Sequence, residues 1–232
     1  MAAESGSQSS GLPLHEGEYA VKNLELKKGK VPKLTSDQIY SQTLLSKLNF
    51  WKGYTIQTFG KWCPLDNEAL SFSLVARETI RKYRSKYAFV HIGFVQVSIK
   101  ALAKLGPDAS VTVALTDPRH ADEKKSILVA FESSMSMDSP VNFNLYPDTS
   151  CYLPELFSDE ALHLDIQPQG CDIKDNTKHL LMRFRMCYKL FKTSLEAQPL
   201  IKGPRLEIDT QKSHVLVPVD NGDSVVFQRR KV

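Results

Sequence analysis

The segment from Ala88 to Lys100 constrains the fold most strongly, because it is apolar on both faces of an extended chain. Val, Ile and Phe dominate it, and these side chains are typical of a strand that other elements cover on both sides. The longest strongly apolar stretch without a formal charge runs from Tyr87 to Ile99, which is well short of the roughly 20 residues that a transmembrane helix needs. The segment therefore predicts a central strand in a layered β-structure.

Shorter segments with a two-residue period follow this strand, and turn residues separate them. Apolar and polar side chains alternate over 111–116, 127–132, 141–146 and 178–192, which is the pattern of strands with one buried face. Gly106-Pro107-Asp108 and Asp138-Ser139-Pro140 supply turns between some of them. Many short strands with frequent turns predict an antiparallel sandwich or jelly roll.

Two further patterns complete the fold prediction. Asn221-Gly222 lies between alternating segments 214–219 and 224–228, which predicts a hairpin, and Pro218 is expected in an edge strand. Between Asn67 and Arg84, apolar residues recur three or four apart and predict one amphipathic helix. The fold class is therefore mainly β: an antiparallel β-sandwich or jelly-roll-like core with one or two flanking helices.

Composition divides the chain into four parts. Residues 1–20 are rich in small and polar side chains, which predicts a flexible N-terminal arm. Residues 21–66 form a basic, aromatic-rich segment, residues 67–228 the β-rich core, and residues 229–232 a basic C-terminal end. No secretion signal and no Asn-X-Ser/Thr sequon are present, so we expect a cytosolic protein.

The sequence motifs that usually mark an enzyme or a metal site are missing. It contains no G-x-S-x-G, no phosphate-binding loop, no H-E-x-x-H and no G-x-G-x-x-G. Its six histidines are scattered singly, and a lone histidine in a strand is far more often a hydrogen-bonded structural residue. The four cysteines form no C-x-x-C pair, which fits a reducing compartment. We therefore assign no catalytic residue, no metal site and no cofactor, and we expect a protein that is not an enzyme.

One strand is a candidate for binding an anionic polymer. Lys and Arg outnumber Asp and Glu by only 30 to 26, so the net charge permits such a partner without requiring it. In the 178–192 segment, Arg183, Arg185 and Lys189 are expected on one outward face, where alternate residues lie roughly 6.6 Å apart. That spacing is compatible with successive phosphates of an extended nucleic acid strand. A solvated strand face is the plainer interpretation of the same pattern.

Cations also gather before the core and at the end of the predicted helix. Lys52 and Lys61 lie near Trp51, Tyr54 and Phe59, and aromatic side chains can stack bases. Arg81, Lys82 and Arg84 end the predicted helix, where they suit the negative end of its dipole as readily as a ligand. The acidic stretch from Asp148 to Asp175 is expected, by contrast, to form an edge that does not hold nucleic acid.

Part of the core resembles a known family. The segment Tyr87-Ala88-Phe89-Val90-His91-Ile92-Gly93-Phe94-Val95-Gln96-Val97, followed about twenty residues later by Ala114-Leu115-Thr116-Asp117-Pro118-Arg119, is similar to the strand, turn, strand and aspartate signature of the thirty-kilodalton superfamily of plant-virus movement proteins. Glu132-Ser133-Ser134 and Asn142-Phe143-Asn144-Leu145-Tyr146-Pro147 also resemble members of that family. Gly93 and Asp117 are the signature residues in this match. Taken without the resemblance, Asp117 is most simply a turn former that bonds its own backbone two residues on.

The resemblance implies a protein that binds single-stranded viral nucleic acid, with RNA favoured over DNA, and carries it between plant cells through plasmodesmata. It implies that Asp117 is needed for movement. It also implies self-association of the protein and host partners at plasmodesmata and endomembranes. The expected location is the plasmodesma and the cytoplasm, with association with the endoplasmic reticulum and peripheral membrane contact left open. The main alternative is a jelly-roll capsid or another structural protein that coats nucleic acid.

Overall fold

A computed structural model describes the protein over residues 35–40, 54–65, 69–75, 77–136, 140–154, 156, 162–171, 180–193, 199–200, 205–209, 213–220 and 225–231. The strands in these residues are β1 (Tyr54–Leu65), β2 (Leu70–Ser73), β3 (Phe89–Ala101), β4 (Ser110–Thr116), β5 (Ile127–Ser134), β6 (Val141–Tyr146), β7 (Thr149–Tyr152), β8 (His163–Gln169), β9 (Leu180–Phe191), β10 (Arg205–Asp209), β11 (Ser213–Asp220) and β12 (Val225–Lys231). The helices in the same residues are α1 (Ser36–Ile39), α2 (Arg77–Tyr83) and α3 (Glu123–Ser126). The predicted N-terminal arm, residues 1–20, lies outside the described residues.

The strands form two six-stranded sheets, and every strand pair in the described residues is antiparallel. The first sheet has the order β1-β9-β3-β6-β10, with β7 pairing alongside β3, and the second has the order β12-β11-β5-β4-β8-β2. Buried apolar residues of both sheets make one core, in which the rings of Phe131 in β5 and Phe143 in β6 meet edge to face at 4.6 Å between centroids. The predicted antiparallel β-sandwich is confirmed.

A bulge in β3 explains why this strand is apolar on both faces. Ile92 lies opposite Tyr188 and Phe94 opposite Cys187, so Gly93 is an extra residue on the β3 side. The extra residue changes the phase of the strand: Ile92 packs in the core between the sheets, whereas Phe94 packs on the opposite side. We call that opposite side, turned away from the second sheet, the outer face.

The outer face of β3 is covered by α1 and the residue that follows it. Ile39 and Tyr40 are buried there against Phe94, Cys187 and Phe191. The backbone N–H of Leu200 donates to the carbonyl of Ile39 at 2.9 Å, which helps to hold α1 in place. The sequence-based expectation that β3 is covered on both sides is thus confirmed.

The helix predicted over Asn67–Arg84 is wrong in its first half. Among the described residues of this range only α2 is helical, whereas β2 pairs with β8 along the edge of the second sheet, with Leu70 opposite Ile166. Phe72 packs against the core while Ser71 between Leu70 and Phe72 is exposed. Apolar residues at this spacing fit either period, and the hydrogen bonds that β8 offers decide in favour of a strand.

The predicted hairpin is confirmed, because β11 pairs with β12 from His214 opposite Lys231 to Asp220 opposite Val225. The edge position expected for Pro218 holds only locally. β12 lies outside β11 in the sheet, but β11 pairs with β5 over 213–215 and Pro218 lies beyond that stretch. No helix in the described part of the chain is long and apolar enough to cross a membrane.

Candidate functional site

Asp117 follows β4 directly and is buried at one end of the sandwich, with 1% of its surface exposed. Arg119 forms hydrogen bonds with both carboxylate oxygens: its Nε donates to Oδ1 at 2.8 Å and its Nη2 donates to Oδ2 at 2.6 Å. The backbone N–H of Arg119 also donates to Oδ1 at 3.2 Å. The turn that was expected of Asp117, two residues on, is therefore present, and a two-pronged ion pair reinforces it.

Arg119 joins the two sheets. Its Nη1 donates to the carbonyl oxygen of Ser150 at 3.3 Å, and Ser150 belongs to β7 of the first sheet. The backbone N–H of Asp117 donates to the carbonyl of Ser126 at 2.6 Å, which closes the connection from β4 to β5. Asp117 is thus a positioning residue, because it fixes the side chain that reaches the opposite sheet.

The charge state of Asp117 follows from these contacts. Burial alone would raise the pKa of its carboxyl, but the hydrogen bonds and positive charge of Arg119, helped by His120, outweigh burial and lower the pKa below its ordinary value. The side chain is therefore an anion at neutral pH, although it has little contact with water.

A second buried network lies beside the first one. His91 of β3 is opposite Ser150 in the strand register, and its Nε2 lies 3.1 Å from Oδ1 of Asp148. Its Nδ1 lies 2.9 Å from the hydroxyl of Tyr40, which also donates to the carbonyl oxygen of His91 at 2.9 Å. Burial, with the nearby Cys187 thiol as second cause, raises the pKa of Tyr40 well above its ordinary value. The network therefore fastens α1 to β3, and His91 is the structural histidine that the sequence predicts.

Gly93, the other signature residue, leaves the space that Tyr40 needs. A Cβ built on Gly93 would lie 2.7 Å from the Tyr40 hydroxyl oxygen, 2.8 Å from its Cζ and 2.9 Å from Cγ2 of Ile39. Real Cβ atoms essentially never approach other atoms so closely. Both signature residues thus act on the packing of the same end of the first sheet, Gly93 on its outer face and Asp117 through Arg119.

The predicted row of cations on β9 is only partly correct. Arg183 is exposed and Arg185 half-buried on the outer face, opposite Ser98 and Gln96 of β3. Lys189 does not face outward into water: it is 7% exposed, and its Nζ lies 4.1 Å from the ring centroid of Tyr54. Burial lowers the pKa of Lys189. Alternation correctly places all three side chains on one face, but it does not reveal that α1 covers part of that face.

The other predicted cations lie elsewhere. Arg81, Lys82 and Arg84 are exposed at the end of α2. The chain that follows them meets the last residue of β9, where Ala88 N–H donates to the carbonyl of Phe191 at 3.1 Å. Arg183 is eight residues away along β9, about 26 Å at the usual rise of a strand. Lys52 lies outside the described residues, and for Lys61 only the backbone, in β1, is described.

The outer face next to Arg185 is polar but closed to solvent. Gln96 donates to Asn144 at 3.0 Å, and Asn144 and the Tyr146 hydroxyl donate to Glu207 at 3.3 and 3.1 Å. All four side chains are buried. Asn142 and Asn144, which the two-residue pattern of β6 predicts on its polar face, are therefore interior residues. Among the described residues, Arg183 and Arg185 are accessible cations on this part of the sheet, and Lys100, two residues beyond Ser98 in β3, is exposed as well.

The described residues hold no group of three or more His, Cys, Asp or Glu side chains that could bind a metal ion. The cysteines at 63, 151, 171 and 187, all among the described residues, form no disulfide, and burial raises the pKa of Cys187 to about 11.

The sequence matches a family model described as "Viral movement protein (MP)" over residues 66–198. This range is more than half of the chain and contains both Gly93 and Asp117. The chain belongs to the viral movement protein family. The resemblance seen in the sequence is thereby confirmed, and this family is not known as a family of enzymes.

Some of the solved structures that resemble this movement protein bear the names of viruses. They include Turnip yellow mosaic virus (10% identity, TM-score 0.39, 81% of this chain and 94% of that chain) and Desmodium yellow mottle tymovirus (9% identity, TM-score 0.36, 65% and 91%). Cocksfoot mottle virus also matches (10% identity, TM-score 0.33, 76% and 97%). No curated protein matches the sequence. The fold assignment rests on the two sheets of the movement protein itself.

Sequence reasoning missed Arg119, Tyr40 and Asp148 as members of these networks. The spacing Asp117-Pro118-Arg119 carries a usable signal for Arg119, since a turn that starts at an aspartate brings residue i+2 back to its carboxylate. No such signal exists for Tyr40, which is fifty-one residues from His91 in sequence.

Proposed function

We propose that this movement protein binds single-stranded viral nucleic acid, RNA in preference to DNA, and carries the genome between plant cells through plasmodesmata. Membership of the movement protein family over residues 66–198 carries this proposal. The same membership favours transport over a jelly-roll capsid. In this proposal the protein acts at plasmodesmata and in the cytoplasm, where host factors and further copies of the chain are its partners.

Arg183 and Arg185 supply a phosphate-binding surface that fits this function. They project from β9 beside Gly60 of β1, which is exposed and opposite Arg185 in the register. Because Gly60 has no side chain, β1 places no bulk opposite Arg185 at this position. Two arginines on one strand face suit an extended phosphate chain without selecting a sequence.

Binding is tested by replacing Arg183 and Arg185 together with Gln. Fluorescence anisotropy of a labelled single-stranded RNA, measured from low to high salt, gives the slope of log affinity against log salt. We expect weaker binding and a slope reduced by about 0.7 for each phosphate that the protein no longer neutralises, hence about 1.4 for the two arginines together.

Two control variants make the test specific. Lys125→Gln removes an exposed cation whose side chain is 71% accessible and lies in the second sheet's β4–β5 connection, so it should leave the slope unchanged. Lys189→Gln should also leave the slope unchanged, because Lys189 is buried beside Tyr54. An unchanged slope in the Arg183/Arg185 variant would mean that the protein binds phosphates with other residues.

Transport is tested with a fluorescent fusion of the full chain in leaf epidermis. Punctate signal at cell walls and spread into neighbouring cells support the proposal. Diffuse signal confined to single expressing cells contradicts it. In the binding assay, cooperative coating of single strands is expected, whereas closed particles that contain nucleic acid would instead favour the capsid alternative.

A further inference from the structure

Four aromatic residues form a continuous row across the outer face of the first sheet. In the strand register, Tyr54 of β1 lies opposite Phe191 of β9, Phe191 lies opposite Phe89 of β3, and Phe89 lies opposite Tyr152 of β7. The rings of Phe89 and Phe191 are stacked with an interplanar angle of 18° and centroids 6.0 Å apart. The rings of Phe89 and Tyr152 are 5.4 Å apart. We call these four residues the aromatic row.

Exposure differs along the aromatic row and is greatest at its Tyr152 end. Phe191 is 6% exposed and packs with Tyr40 beneath α1, whereas Tyr54 and Phe89 are half-buried. Tyr152 is 43% exposed, although it is one of the large side chains that usually find cover. A purely structural role would account for Phe191, but it leaves an exposed ring that continues the row into solvent.

Two lysines lie beside the aromatic row, where β9 ends and β3 begins. Lys192 follows Phe191 directly, and Lys86 lies two residues before Ala88, whose backbone bonds to both Phe191 and Leu153. Lys86 and Lys192 are exposed. Exposed aromatics beside cations are complementary to a chain of bases joined by phosphates.

The acidic stretch 148–175, expected to repel nucleic acid, does not remove this complementarity in the described residues. Asp148 faces the buried His91, and Asp165 accepts a hydrogen bond from Thr116 at 2.8 Å in the second sheet. Asp117 is neutralised by Arg119.

We infer that the aromatic row is a stacking platform for the bases of a single-stranded nucleic acid, with Tyr152 and Phe89 as the accessible rings and Lys86 and Lys192 on the phosphates. This inference rests on the proposed function. It assigns the bases to the aromatic row, whereas Arg183 and Arg185 bind phosphates. Stacking on aromatic rings is indifferent to sequence, because every base has a flat apolar face. The Arg183 surface and the aromatic row then lie along one face of the same sheet.

The test compares Tyr152→Ala with Tyr152→Phe. The first variant removes the exposed ring and the second keeps it without the hydroxyl, so only the first should weaken binding to a single-stranded RNA, on the order of tenfold. A second probe is an abasic oligonucleotide of the same length, which has phosphates but no bases. Tyr152→Ala should bind it as well as the wild type does, whereas Lys86→Gln with Lys192→Gln should bind both probes less well.

The outcomes separate this inference from the proposed function. If the wild type fails to bind single strands even at low salt, the proposed function fails. If it binds and Tyr152→Ala matches Tyr152→Phe on RNA, the stacking platform is wrong while the proposed function stands. Weaker binding of Tyr152→Ala to the abasic probe overturns stacking as well. If Tyr152→Ala alters only self-association or binding to anionic lipid vesicles, the row is a contact for those partners and the inference is overturned.

Discussion

At the scale of single residues, Asp117 illustrates how a buried charge is made tolerable. A carboxylate removed from water is costly unless it is paired and hydrogen-bonded, and Arg119 does both through two side-chain bonds and one backbone bond. The pair also directs the remaining nitrogen of Arg119 to Ser150 in the other sheet. The signature aspartate therefore has a structural role that the geometry explains, with no need for chemistry at its carboxylate.

The first prediction concerns Asp117→Asn. The amide keeps one oxygen for the turn but loses the charge and the second acceptor, so we expect a folded domain that is less stable by about 1.5–3 kcal/mol at pH 7. Because the folded-state pKa of Asp117 is lowered, its contribution is complete above the unfolded pKa of about 3.9 and is lost as the pH falls through the folded pKa. Urea unfolding at several pH values should show the wild-type advantage shrinking below about pH 4.

Asp122→Asn is the matched control for this experiment. Asp122 is exposed and lies 3.6 Å from Lys125 in a surface ion pair, so its replacement should change stability by less than about 1 kcal/mol. A loss of stability in Asp117→Asn that stays the same from neutral to acid pH would exclude the charged pair as its cause.

How far the sequence predicts these residues depends on the range of the interaction. The turn at Asp117 depends on a contact two residues away, and the sequence predicts it correctly. Arg119 bound to Ser150 and Tyr40 bound to His91 require sheets and helices to be in place first. Lys189 is the instructive failure, since alternation assigns its face correctly but not the α1 segment that covers it.

At the scale of elements, the bulge in β3 and the placement of α1 depend on each other. α1 has only four residues, too few to be stable alone, so tertiary contacts must hold it. Tyr40 provides them through His91, and it reaches His91 only because position 93 has no side chain. The sequence indicates the strand and the glycine but not the bulge, because the partner residues Tyr188 and Cys187 are nearly a hundred positions away.

A second prediction concerns Gly93→Ala. The new Cβ would meet Tyr40 and Ile39, so α1 has to move and the hydrogen bonds between Tyr40 and His91 have to break. We expect the free energy of unfolding to fall by about 1–3 kcal/mol. Gly60→Ala in β1 is the control, because its Cβ would meet the Phe184 carbonyl at an ordinary 3.4 Å. Urea unfolding measures both variants. Equal stability of the two would show that α1 yields without cost and that the close approach of Tyr40 is unimportant.

At the scale of the whole molecule, the two sheets are joined by an apolar interior and, at the Asp117 end, by the polar link through Arg119. Residues of β3, β6 and β9 from the first sheet share a single core with residues of β4, β5 and β8 from the second. Arg119 spans the sheets at their border. Neither sheet can bury its inner face alone, so the sandwich should unfold as one unit.

Phe143→Ala tests this cooperativity. Phe143 is 2% exposed and touches Phe131 of the opposite sheet, so its truncation should leave a cavity and cost about 3–5 kcal/mol. Phe143→Leu keeps most of the volume and should cost less, and Tyr152→Ala, which removes an exposed ring, should cost least. Circular dichroism and calorimetry should give one transition at a lower temperature for Phe143→Ala. Two separate transitions would show that the sheets are independent units, and a nucleic acid bound along the outer face of the first sheet would then stabilise that sheet alone.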